Sequence, residues 1–152
     1  KGINMFQEIA NFITEYKYII MPILVWVFIQ LFKFIYDLVT TKKINFKRIL
    51  QAGGMPSSHS GVVVCLTTMI GKDVGINSPL FAVYLIFSLV VMYDAAGVRR
   101  AAGKQAKLLN KIVETPGLTG VQMHEKLVEV LGHSPKEVIV GALIGLIVGL
   151  VF

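Results

Sequence analysis

The sequence is poor in charged residues and almost free of cysteine. Only 16% of its 152 residues are Asp, Glu, Lys or Arg, whereas a soluble domain carries about 25%. Hydrophobic residues make up 55%, and the mean hydropathy is +0.69. This shortage of charge excludes an ordinary soluble domain and indicates an integral membrane protein. The single cysteine, Cys65, excludes an intrachain disulfide.

The length predicts one domain, residues 1–152. Residues 1–15 lack a long apolar run followed by a small-residue cleavage site, so no cleavable signal peptide is expected. Residues 6–16 have apolar positions at helical spacing, which predicts a short helix at the membrane interface.

Apolar runs predict four membrane segments. The first, residues 18–39, is long enough to cross about 30 Å of hydrocarbon. The other three are short for a full crossing and cover residues 61–70, 79–93 and 138–152. The expected fold is therefore all-α, a polytopic membrane helical bundle.

A polar insertion separates the third and fourth segments. Residues 97–114 are basic and predict one helix, and residues 119–131 are amphipathic and predict a second. The sequence Thr-Pro-Gly at residues 115–117 predicts the break between them.

The last segment carries start and packing signals. Ser134 is the predicted N-cap and Pro135 the predicted first helical residue. Glycines recur every four residues on one face, which predicts close helix packing. They are Gly141, Gly145 and Gly149.

The net charge of +6 is concentrated in two clusters between apolar segments. Alternation of four segments puts both clusters on one side, together with residues 53–60 and residue 133. The positive-inside rule then predicts that this side is cytoplasmic and both termini lie outside. Attraction to anionic lipid accounts for the clusters, and a funnel for a phosphorylated substrate is the alternative. The clusters contain Lys42, Lys43, Lys47 and Arg48, and Arg99, Arg100, Lys104, Lys107 and Lys111.

Polar residues in an apolar chain are candidates for function. Residues 53–60 read Gly-Gly-Met-Pro-Ser-Ser-His-Ser and indicate an anion site, with phosphate as the expected anion. Three more polar sites are expected on the same side: Lys33, residues 94–100 and residues 132–137.

Two histidines among cations and carboxylates suit phosphate ester hydrolysis. One imidazole can attack phosphorus and form a phosphohistidine, while the other protonates the leaving oxygen. Cations stabilise the equatorial oxygens. His133 and Glu137 stand four residues apart across a helix start, so the carboxylate can hold the imidazole tautomer.

Each residue also has a structural interpretation. His59 and His133 can simply pack beside helices, and Glu137 suits a first turn. Lys33 can extend its amine to the interface, and Asp94 can pair with one of the two arginines that follow. His124, the third histidine, is interpreted as a surface residue. The convergence of the sites favours a function more than any single residue does.

The pattern resembles the type 2 phosphatidic acid phosphatase superfamily, which includes vanadium haloperoxidases. Residues 56–59, Pro-Ser-Ser-His, look like its central Pro-Ser-Gly-His motif. Residues 53–60, 94–100 and 132–135, with the glycine-rich last segment, look like its divergent branch of small membrane proteins. The resemblance covers most of the chain from residue 30 onward.

The resemblance implies a role for each matching residue. His133 would be the nucleophile, His59 would protonate the leaving group, and Glu137 would orient the nucleophile. The superfamily scheme gives Asp94 no role. The residues that would hold phosphate are Lys33, Ser57, Ser58, Arg99 and Arg100.

The chain also departs from the superfamily pattern. Ser58 replaces a glycine, Glu137 replaces an aspartate, and Leu127 stands where an arginine precedes the nucleophile. No arginine-proline pair follows Lys33, so an arginine of the second cluster would have to supply the guanidinium. Four segments are fewer than the usual six helices, which suggests a homodimer.

The leading hypothesis is a membrane-embedded phosphatase of the cell membrane that cleaves a phospholipid or polyprenyl phosphate or diphosphate through a phosphohistidine. No cofactor, metal or nucleic acid is expected. One alternative is a non-catalytic protein that binds or transports a phosphate headgroup. Another is a metal-assisted hydrolase that uses Asp94 and a histidine.

Overall fold

The computed structural model describes residues 4–44, 53–115 and 126–152. Every regular element in these ranges is an α-helix, which confirms the predicted all-α class. The helices are α1 (Met5–Glu15), α2 (Lys17–Thr41), α3 (Ser58–Val74), α4 (Pro79–Ala96), α5 (Val98–Glu114) and α6 (Pro135–Val151).

Three helices begin at a serine cap. In each, the serine hydroxyl accepts the backbone N–H of the residue three positions later, which satisfies a donor that the first turn leaves open. The caps are Ser57, Ser78 and Ser134. In α4 and α6 a proline follows the cap. At this position its fixed φ is already helical, and the N–H that it lacks would have no partner within the helix. The predicted start of α6 is confirmed.

Helix α3 is the centre of the fold and packs against α2, α4 and α6. The core lies between α2 and α3 and consists of apolar side chains that are almost fully buried. These are Met21, Val25, Ile29, Cys65 and Met69.

The glycine face of α6 lies directly on α3. A β-carbon on Gly145 would collide with the Gly61 carbonyl oxygen, and one on Gly149 would lie 2.6 Å from Thr68 Cβ. The absence of side chains therefore lets the two backbones approach, as the glycine spacing predicted.

The helices alternate in direction, which separates two polar ends. At one end Asp73 near the end of α3 accepts a hydrogen bond of 2.8 Å from Tyr18 Oη at the start of α2. Lys72 of the same turn donates to the Leu150 carbonyl of α6 at 3.1 Å. At the other end lie the start of α3, the end of α4 and the start of α6. The four polar sites meet at that second end.

Two stretches of the described residues are long and apolar enough to cross a membrane, Lys17–Thr41 and Pro79–Glu114. The second joins α4 and α5 across Gly97. Helices α3 and α6 have 17 residues each, about 25 Å of helix rise against about 30 Å of hydrocarbon. Four crossings therefore remain a prediction.

The predicted helix over residues 119–131 is wrong for its described part, because residues 126–131 have no regular secondary structure. The Asn110 amide accepts the Leu127 N–H at 3.0 Å and donates to the Leu127 carbonyl at 2.9 Å. In a helix, the N–H and the carbonyl of Leu127 would instead bond to backbone groups of the same segment. Residues 119–125, including His124, lie outside the described residues, as do Lys47 and Arg48 of the first cluster.

Candidate active site

Two histidines face one another at the polar end that holds the start of α6. The ring centroids of His59 and His133 are 5.8 Å apart, with ring planes at 65°. His133 is only 2% exposed. In the described part of the chain, His59 Nδ1 and His133 Nε2 are buried and have no hydrogen-bond partner. Because a buried polar atom without a partner is costly, this pair is a candidate ligand site.

A tight turn holds His133 against the end of α4. The His133 N–H donates to the Ala95 carbonyl at 2.8 Å. Gly132 adopts φ +76°, and a β-carbon there would lie 2.7 Å from the carbonyl carbon of Arg99 and from Arg100 Cα. Glycine is therefore required by both the conformation and the space, and it fixes where the imidazole enters the site.

Glu137 links the start of α6 to the imidazole. Its Oε2 lies 3.1 Å from His133 Nδ1 and accepts the Ser134 N–H at 3.1 Å. The Ser134 hydroxyl accepts the Glu137 N–H in return, which completes a capping box. A carboxylate accepts from Nδ1–H, and the neutral ring then carries its lone pair on Nε2. The predicted pairing of His133 with Glu137 is present.

Burial lowers the pKa of the His133 imidazole below its ordinary value, and the nearby Lys33 ammonium lowers it further. The hydrogen bond and negative charge of Glu137 oppose this shift, and the Gly54 backbone near the ring opposes it further. The net direction is downward, so the imidazole is neutral at neutral pH. A neutral ring with a free Nε2 lone pair is the form that can act as a nucleophile.

Lys33 contributes a buried positive charge. It is 3% exposed, and its Nζ donates to the Gly53 carbonyl at 3.1 Å. The amine is therefore folded inward instead of extended toward the interface. Its charge acts on the rings of both histidines, as expected of a group that would hold a phosphate between them.

A cavity of about 280 Å³ adjoins this lysine. Among the described residues, Lys33 forms its polar wall, and Phe32, Tyr36 and Met55 form the other walls. The cavity thus combines a cation with aromatic and aliphatic surface, as a site for an amphipathic ligand would.

Ser57 and Ser58 lie at the site, but their surroundings are largely structural. The Ser57 hydroxyl accepts from Ser60 N–H at 3.3 Å and from Ser60 Oγ at 3.1 Å, so it serves as the cap of α3. The Ser57 N–H donates to the Glu137 carbonyl at 2.9 Å and ties the start of α3 to that of α6. Ser58 is 5% exposed. Phosphate binding by either serine stays a prediction.

Asp94 and Arg99 form an ion pair with an Nε–Oδ2 distance of 2.5 Å at the edge of the site. The Arg99 charge reaches the His59 ring electrostatically. Arg100 is exposed and places its backbone against Gly132. In the ranges that the structure describes, no three His, Cys, Asp or Glu side chains are grouped to hold a metal ion.

Residues 14–148 match the family described as the Divergent PAP2 family. The chain belongs to this family. The match spans both histidines, Lys33 and Glu137, and it confirms the resemblance that the motifs indicated. A protein of Bacillus subtilis (strain 168), "Uncharacterized membrane protein YuiD", is 38% identical over 136 residues. The aligned region covers 82% of this chain and 86% of that protein. No solved structure matches the chain.

Family motifs identify side chains, and the structure adds backbone partners that they do not reveal. The Ala95 carbonyl holds His133, and the Gly53 carbonyl holds Lys33. A backbone carbonyl has no residue-type signal, so only the three-dimensional structure can identify these contacts. The contact of Asn110 could have been suspected from the sequence, because Asn110 is a polar residue on a helix face that otherwise consists of small residues.

Proposed function

We propose that this membrane protein of the Divergent PAP2 family is a phosphatase that cleaves a lipid phosphate or diphosphate. The observation that carries the proposal is the state of His133. Its Nδ1 is held by Glu137, while its Nε2 is buried without a partner in the described residues. The charge of Lys33 lies close by.

The reaction has two displacements at phosphorus. His133 Nε2 attacks the phosphorus, the bond from phosphorus to the lipid oxygen breaks, and His59 gives its proton to that oxygen. A water molecule then attacks the phosphorus of the phosphohistidine, His59 takes a proton from the water, the bond from phosphorus to His133 Nε2 breaks, and inorganic phosphate leaves. Lys33 stabilises the negative charge on the equatorial oxygens during both steps.

The cavity beside Lys33 supports a lipid substrate. Its Phe32, Tyr36 and Met55 walls match the hydrocarbon that adjoins the phosphate of a phospholipid or polyprenyl phosphate. A small sugar phosphate has no hydrocarbon chain to contact these walls. Phosphatidic acid, phosphatidylglycerophosphate and polyprenyl diphosphate form the first panel, with the site facing the cytoplasmic leaflet.

The test is phosphate release by the purified protein from this panel. We expect His133→Ala to reduce turnover to background and His59→Ala to reduce it by about 10²–10⁴-fold. His124→Ala is the matched histidine control and should keep wild-type turnover. Vanadate should inhibit, and a chelator should not. Wild-type turnover in His133→Ala would contradict the nucleophile assignment.

A substrate with an activated leaving group distinguishes the chemical roles of the two histidines. A nitrophenyl phosphate needs little protonation as its bond breaks, so the first displacement, measured as a burst of nitrophenol, should be largely restored in His59→Ala but not in His133→Ala. An acid-labile phosphoryl adduct on His133 should also appear with this substrate. Equal restoration of both variants would contradict the division of roles.

A non-catalytic headgroup-binding protein is the second candidate, and one observation favours it. Leu127 stands where the superfamily has an arginine before the nucleophile, and Arg99, whose charge reaches His59, is paired with Asp94. Tight binding of a lipid phosphate with no release of phosphate from the panel would support this candidate. Activity that a chelator abolishes would instead support a metal-assisted reaction that uses Asp94.

A further inference from the structure

Helix α5 has three distinct faces, and among the residues that the structure describes only one of them packs on the rest of the protein. Gly103, Ala106 and Asn110 are buried and face residues 126–131. A β-carbon on Gly103 would lie 2.6 Å from the Glu129 carbonyl oxygen. The buried face therefore fixes how α5 is rotated about its axis and which residues it turns outward.

The second face is a basic stripe. Its residues follow one another at spacings of four, three and four, so they share one side of the helix. The stripe consists of Arg100, Lys104, Lys107 and Lys111. Like charges at this spacing destabilise a helix unless an anion neutralises them. The single acidic residue of α5, Glu114, pairs with Lys126 instead.

The third face is apolar and exposed. Leu108 is 60% exposed, Leu109 is 49% exposed, and Val98 is 63% exposed. Leu108 lies next to the basic stripe on the side away from the buried face, and Val98 and Leu109 lie farther round the helix. A helix with an apolar strip beside lysines has the composition of one that lies in a membrane surface.

The position of α5 agrees with that composition. It begins directly after α4, whose last turn holds His133 through the Ala95 carbonyl. Its first turn packs on Gly132. Helix α5 therefore starts at the end of the molecule that carries the candidate active site, where an apolar helix leaves the membrane.

We propose that α5 binds the surface of an anionic bilayer on the side of the candidate active site. The basic stripe contacts lipid phosphates, and Leu108 and Leu109 enter the boundary between headgroups and acyl chains. The exposed leucines favour a membrane over an acidic protein or a nucleic acid, which would match the charge alone. This inference does not depend on the protein being a phosphatase.

The test measures how well the membrane protects α5. Cys65 is fully buried, and a Cys65→Ala background carries Leu108→Cys as the reporter. The protein is reconstituted into vesicles of phosphatidylcholine, with or without phosphatidylglycerol, and labelled with uncharged N-ethylmaleimide. Labelling in detergent gives the unprotected rate.

Two charge-matched pairs identify the surface that is responsible. Lys104→Gln with Lys107→Gln removes two charges from the stripe. Lys42→Gln with Lys43→Gln removes two exposed charges at the end of α2, outside α5. Each lysine near an anionic surface strengthens membrane binding roughly fivefold. The double substitution in α5 should therefore weaken the binding of α5 to the bilayer by up to about 30-fold.

We expect slow labelling in anionic vesicles, fast labelling in detergent, and recovery of the fast rate with the α5 pair only. Recovery with both pairs would overturn the assignment to α5. Equal rates in anionic vesicles and detergent, whether fast or slow, would overturn membrane binding, because α5 would then be in water or covered by protein. Protection by an added nucleic acid or acidic protein but not by anionic lipid would also overturn it.

Discussion

At the scale of single residues, Glu137 joins a structural role to a chemical one. The same Oε2 accepts from the Ser134 backbone and contacts His133 Nδ1. A capping box favours Glu or Gln at this position because the side chain must reach back one turn. The departure from the superfamily aspartate therefore fits the local geometry, since the extra methylene lets one carboxylate serve both the helix and the imidazole.

The depressed pKa of His133 gives a direct test of this arrangement. Burial and Lys33 lower it, and Glu137 raises it, so His133 should titrate below the ordinary value of about 6.5. Glu137→Gln keeps a hydrogen-bond acceptor but removes the negative charge, so the imidazole should titrate at still lower pH. Histidine-selective NMR of the three histidines checks this, with His59→Ala and His124→Ala for assignment. A rise in the pKa of His133 in Glu137→Gln would contradict the pairing.

Residue spacing predicted some of these contacts and left others open. The separation of His133 and Glu137 predicted their pairing, because four residues bring two side chains to one helix face. Asp94 had two candidate arginines, and the structure shows its pair with Arg99. The Ala95 carbonyl that holds His133 could not be predicted, because any residue type supplies a carbonyl.

At the scale of helices, the contact between α3 and α6 depends on the glycine face. Gly145→Ala would place a methyl group against the Gly61 carbonyl and the Cys65 nitrogen, which are backbone atoms that cannot rotate away. We expect a loss of about 1–3 kcal/mol in the free energy of unfolding, as for other overpacked contacts.

Ala142→Val is the control for this prediction. Ala142 lies on the same helix but lines a groove of about 310 Å³ between α3, α4 and α6, which has room for added methyl groups. Unfolding in mixed micelles of increasing denaturing detergent compares the two variants. Equal stability of Gly145→Ala and wild type would contradict the close contact.

The helices were predictable where one element carries its own signals. The serine caps and the glycine spacing predicted α6, and a long apolar run predicted α2. The wrong helix at residues 126–131 shows the converse. Its apolar spacing was helical, but the Asn110 side chain of α5 binds both backbone groups of Leu127, and sequence spacing within one segment does not report a contact 17 residues away.

At the scale of the whole molecule, helix direction divides the protein into two chemically different ends. The end with His59, His133 and Lys33 also starts the basic helix α5. The opposite end holds Asp73 with Lys17 and Tyr18. The positive-inside rule predicts that the first end faces the cytoplasm, and the predicted four crossings require that the α3–α4 connection reach the other side.

Cysteine labelling from each side of the membrane tests both statements. In a Cys65→Ala background, Lys43→Cys should react with a membrane-impermeant maleimide only in inside-out vesicles. Asn77→Cys, in the exposed α3–α4 connection, should react only in right-side-out vesicles or intact cells. The physical reason is that α3 lies between them, and its length of about 25 Å carries the chain across if the bilayer thins slightly around it. Reaction of both cysteines from the same side would mean that α3 is re-entrant and that fewer than four segments cross. A reversed pattern would keep the four crossings but place the candidate active site outside.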